Sequence, residues 1–144
     1  MTQQLHKIIY QCKVAGACNK LRLNMTPEEI CHLLHTPQGR EFILRGVPTL
    51  AQWRLIKDDC NDLLIRYNIY LDSDQVELDG EAKSIIAIGG TSLLVTPDRC
   101  ELYKVTALHG AHAYIHATDW AVVSAEADAE SYTHVTTANH AISI

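Results

Sequence analysis

Five of the eight histidines, His109, His112, His116, His134 and His140, fall in the last third of the chain. Imidazole is the side chain most ready to bind a transition metal or to move a proton near neutral pH. Zinc needs three or four donors within about 2.3 Å of one point. On an extended strand His112 and His116 share a face but stand about 13 Å apart, at about 3.3 Å per residue. His109 has the opposite parity. One strand therefore makes no site, and only coiling that lays strands side by side could bring His116 to His134 or His140. His112, His116, His134 and His140 are the metal candidates; surface or stacked structural histidines are the competing reading.

Glu126, Asp128 and Glu130 alternate along another extended stretch. Carboxylates on one face can do acid–base work, or hold calcium if backbone oxygens join them. A solvated row that discourages edge-to-edge pairing is the simpler reading. Asp58, Asp59 and Asp62 sit beside Lys57 and Arg66 and read as a solvated, salt-bridged helix face. The five cysteines form no CxxC pair and are odd in number. That pattern suits reduced thiols acting as small core hydrophobes, and a cytoplasmic setting.

No GxSxG, HExxH or phosphate-cradling glycine loop occurs, and Gly89-Gly90-Thr91 is only a turn signal. No catalytic residue is nominated and no cofactor is implied. Tyr114, Trp120 and Tyr132 form a bulky row that could be a binding face, since aromatics anchor interfaces. The same row could instead be covered by other elements of the chain.

The elements that must position these groups fall into two halves. Of 144 residues with net charge −5, the first 27 hold Lys7, Lys13, Lys20 and Arg22 and no acid. From Val105 onward there is no Lys or Arg. Such a region repels phosphates, so a nucleic-acid surface is not expected there. The first half reads as helices: an opening amphipathic one from Leu5 to Ala15, then starts at Thr26-Pro27, Thr36-Pro37 and Thr49. Thr49 with Gln52 forms a capping box. Trp53, Ile56, Cys60, Leu63, Leu64 and Tyr67 make one stripe at helical spacing. No run is long and apolar enough to span a membrane.

After Tyr67 the period becomes two. Strands are expected at 69–71, 76–78, 84–88 and 92–95, with more beyond, separated by breaks such as Asp79-Gly80, His109-Gly110 and Thr118-Asp119. From Val105 to Ile144 nearly all odd positions are small or β-branched, while even ones carry bulk and polarity. A face of small residues lets adjacent walls approach closely. An α+β chain is therefore expected, with a helical head (1–68) capping an all-β body (69–144) in one compact unit. The body reads as a β-solenoid, the alternative being an antiparallel meander packed on the helices. The six-residue period of hexapeptide acyltransferases is absent.

The segments Gly46-Val47-Pro48-Thr49, Tyr67-Asn68-Ile69-Tyr70-Leu71, Ile86-Ala87-Ile88-Gly89-Gly90, Leu108-His109-Gly110-Ala111 and Trp120-Ala121-Val122-Val123 resemble a group of small uncharacterised proteins. Those belong to gut Bacteroidetes and their mobile elements and phages, with a helical head and an "HGA…AVV" tail. The resemblance implies a bacterial or phage origin and an intracellular setting, and no activity. The expected function is a non-catalytic interaction or structural module that forms a homo-oligomer or binds a protein partner, with encoding on a mobile element implied by the resemblance alone. The alternatives are a small-molecule-binding or metal-dependent enzyme built on the histidines, and a nucleic-acid-associated regulator using the basic N-terminus.

Overall fold

The computed structural model describes residues 25–144, together with Lys7. The expected opening helix, with Cys12, Cys18, Lys13, Lys20 and Arg22, lies outside the described residues. The chain divides into two compact units, Met1–Tyr67 and Asn68–Ile144.

In the first unit, α1 (Pro27–Leu34), α2 (Pro37–Leu44) and α3 (Leu50–Arg66) each begin after a threonine cap. Thr26, Thr36 and Thr49 accept the backbone N–H three residues on, satisfying an amide that the helix leaves unpaired. At Thr49 the box is complete, because the Gln52 side chain accepts the Thr49 N–H at 2.8 Å. Gly46 takes φ +94° where α2 ends, a conformation that glycine adopts without steric cost. Along α3 the buried stripe is Trp53, Ile56, Cys60, Leu63 and Leu64. The helix breaks its regular geometry at Cys60, with φ −149° and ψ 42°.

The second unit is a parallel β-solenoid of about four coils. One sheet runs β1 (Ile69–Leu71), β3 (Ser84–Ile88), β5 (Leu102–Leu108), β7 (Val122–Ala127), β9 (Ile142–Ser143). The other runs β2 (Val76–Leu78), β4 (Ser92–Val95), β6 (His112–Ala117), β8 (Tyr132–Thr137). Every pairing in the two sheets is parallel, which excludes the meander.

The register gives the period. Ile69 lies beside Ile86, 17 residues on, and from there each coil takes 20: Ile85 beside Val105, Val105 beside Ala125. Each coil is thus two strands and two corners. From β3 onward the odd positions of the sequence point inward, whereas in the first coil, offset by 17, the even residues Tyr70, Val76 and Leu78 join the core. Val105, Ala107, Ala111, Ala113, Ile115, Ala117, Ala121 and Val123 are all 0–2% exposed. Small side chains dominate because two sheets of one narrow coil meet across this interior. A large residue enters at Tyr103, whose hydroxyl donates to the Gly80 carbonyl at 3.0 Å, so its buried polar atom is satisfied.

Corners need backbone in the left-handed region, and the sequence supplies it mostly without glycine. Asp119 and Trp120 have φ 52° and 63°, and Asn139 and His140, one coil later, have 51° and 73°. Side chains then hold the corners to one another. Thr91 donates to the Tyr70 and Ile88 carbonyls and accepts the Ser73 N–H, while Asp72 accepts the Gly90 N–H at 2.7 Å.

Candidate functional site: the outer face of β6 and β8

Because odd residues fill the interior, even residues of β6 and β8 stand on the outside. The register sets His112 beside Tyr132, Tyr114 beside His134, and His116 beside Thr136. All six are exposed, Tyr114 at 44% and Tyr132 at 46%. None carries a formal charge when histidine is neutral.

The rings hold one another in place. Tyr132 lies 6.0 Å from both His112 and Tyr114, and Tyr114 lies 6.5 Å from His134. Tyr132 and His134, two apart on one strand, are nearly parallel at 6°. His116 Nδ1 and Thr136 Oγ1 are 2.6 Å apart, and Tyr132 Oη and His134 Nδ1 are 3.3 Å apart. In both histidines the bond engages Nδ1, which leaves Nε2 on the ring's other side for a ligand.

The four histidines expected to share a metal are only partly gathered. His112, His116 and His134 share this face, with His134 diagonal to each of the other two. His140 sits at a corner, stacked on Trp120 at 4.3 Å and 9°. No group of three or more His, Cys, Asp or Glu that could hold a metal ion occurs among the described residues. The binding candidates divide in the same way: Tyr114 and Tyr132 are neighbours, whereas Trp120, 60% exposed, belongs to the corner. The 20-residue coil explains the stack, since Trp120 and His140 are equivalent positions in successive coils.

The three carboxylates of the β7 stretch do not act together either. Glu126 stands on the outside of its sheet, while Asp128 turns to a corner. There it accepts the His109 N–H at 2.7 Å and the Glu130 N–H at 3.1 Å. Burial pushes the Asp128 carboxyl upward, but the hydrogen bonds from His109, Ser131 and Glu130 outweigh it and hold the group below its ordinary value. Asp128 is a structural acceptor. Its role was hidden in the sequence because the His109 N–H comes from one coil earlier.

In the helical unit, Glu28, Lys57, Asp58, Asp59, Asp62 and Arg66 line a cleft of about 470 Å³ beside the irregularity at Cys60. Cys31 and Cys60 are buried free thiols. Burial pushes Cys31 up to about 12 and raises Cys60 as well, so neither is a ready nucleophile. Cys100 is exposed.

Comparisons with protein-family models, with curated proteins and with solved structures find no match. They do not bear on the resemblance to Bacteroidetes proteins. No helix among the described residues is long and apolar enough to cross a membrane.

Proposed function

We propose that the chain is an interaction module that associates with a second copy of itself through the open end of its solenoid. The supporting observation is the change in exposure along the inward-facing rows. Ala113 and Ile115 are 0% and 2% exposed, whereas Thr133 and Val135, one coil later in the same rows, are half-exposed. On the other sheet Val105 and Ala107 are buried, Ala125 is half-exposed and Ala127 exposed. The interior is thus open at the fourth coil, and β8 offers a run of backbone groups on one edge. Such an edge is a template for another strand.

Size decides the strength. Strands of about 20 Å and sheets about 10 Å apart give an end on the order of 200 Å² per copy. That is a quarter of the roughly 800 Å² per partner of a standard stable interface. Ile142, on the terminal strand β9 and 51% exposed, extends the surface beside the end. An end of this size fits a weak, reversible dimer, and a closed pair with like ends together needs no further copies.

Sedimentation of the full chain across micromolar concentrations tests this. The expected result is a shift toward twice the 16.1 kDa chain mass. Thr137→Lys, at an exposed position, should abolish the shift while circular dichroism stays unchanged, and Val135→Lys, which packs against the core, should abolish it as well. A monomer throughout, or a dimer indifferent to both substitutions, would sink the proposal. A protein partner other than a second copy is the alternative occupant. The enzyme alternative lacks a donor set among the described residues, and the nucleic-acid alternative rests on cations outside them.

A further inference from the structure

We infer that the outer face of β6 and β8 is a binding site for neutral oligosaccharides, in which Tyr114 and Tyr132, their planes 60° apart, each pack against a different sugar ring. The argument is independent of self-association and starts from charge. His112, Tyr114, His116, Tyr132, His134 and Thr136 form a contiguous patch without one Lys, Arg, Asp or Glu. Aromatic platforms also serve single-stranded nucleic acids, but those sites pair stacking with a cationic groove for the backbone. Here the chain carries −5 overall and no Lys or Arg after Lys104. A phosphate polymer has nothing to meet it.

Size argues against a stable protein complex on this face alone. From His112 to His116 is about 13 Å along the strand, and neighbouring strands stand about 4.8 Å apart. The patch therefore falls well short of the roughly 800 Å² per partner of a standard protein interface. It is long enough for a few linked sugar rings. Strand-forming peptides, for their part, add to sheet edges rather than lying across faces.

The chemistry of the patch matches a pyranose on both of its surfaces. A sugar ring shows a C–H face, which packs on a phenol or imidazole plane, and a rim of hydroxyls, each donor and acceptor. Tyrosine and histidine offer the same pair of features, an apolar plane and a polar tip. The Tyr132–His134 and His116–Thr136 contacts fix ring orientations before any ligand arrives. The strands beneath are locked by the parallel ladder, so little ordering remains to be done on binding.

The test uses the full chain, titrated in turn with cello-, chito-, manno- and maltohexaose, and followed by ring resonances in NMR and by calorimetry. The expected result is saturable binding of at least one, with shifts confined to the rings of His112, Tyr114, His116, Tyr132 and His134. Tyr114→Ala and Tyr132→Ala should each weaken it by about tenfold, as loss of one aromatic contact implies, with melting temperature unchanged. Both positions are exposed and outside the core, so the variants fold. No saturable shift with any of the four sugars overturns the inference. Binding that survives both substitutions, or that appears only with a polyanion such as heparin, overturns it too.

Discussion

At the scale of the residue, His35 shows how surroundings set a pH response. Its Nε2 donates to the Tyr67 carbonyl at 2.6 Å. Burial lowers its pKa below 6.5, with Arg40 and His32 adding in the same direction and the Tyr67 bond opposing. The folded state therefore favours neutral imidazole. As pH falls below 6.5, the unfolded chain takes up this proton before the folded one does, so stability is full above 6.5 and declines below it. We expect the melting temperature to fall from pH 7.5 to 5, and His35→Gln, which keeps a donor for Tyr67, to flatten that fall. Equal slopes for the two proteins would show that His35 does not govern it. In sequence, His35 is one histidine among eight; the carbonyl that fixes it is 32 residues away.

At the scale of the element, the corners and the interior differ in what they tolerate. Trp120 sits at φ 63°, where a non-glycine residue costs about 1–2 kcal/mol, and its stack on His140 returns about 0.5–1.5 kcal/mol. These terms nearly cancel. Trp120→Gly should change stability in urea by less than about 1 kcal/mol. Ala113→Leu, at a 0% exposed position facing the opposite sheet, should lose about 1–3 kcal/mol by overpacking. If the first variant lost more than the second, the ring stack would matter more than the narrowness of the coil. The strands at 69–71, 76–78, 84–88 and 92–95 lie where the sequence places them. Their breaks include Asn68, Asp72, Asp79-Gly80, Gly89-Gly90 and Pro97, and β2 and β4 alternate in exposure, whereas β1 and β3 are buried at successive positions. The corner at Ala129-Glu130 was not legible, because it contains neither glycine nor a residue of positive φ and is closed by the Asp128 side chain.

At the scale of the whole molecule, a solenoid is a linear stack whose coils touch only their neighbours. Among the described residues β8 and β9 are edge strands, as β1 and β2 are at the other end of the stack. Amide protection in hydrogen exchange should therefore fall from β5 and β6 to β8 and β9, at concentrations low enough to disfavour self-association. Uniform protection across the four strands would mean that the solenoid opens as one cooperative block.

Composition and period were enough to determine the helices with their threonine caps, the switch to strands after Tyr67, and the small inward face of a solenoid. These are local properties: capping, turn chemistry and alternation act within a few residues. What needed tertiary structure was the 20-residue coil length, because it is fixed by where hydrogen-bond registers close between strands. That register decides every lateral neighbour. It sets Tyr114 beside His134 and Tyr132, sends Trp120 to His140, and leaves the metal candidates without a common centre. Sequence spacing shows which residues share a face of one strand; only the pairing of coils shows which side chains meet.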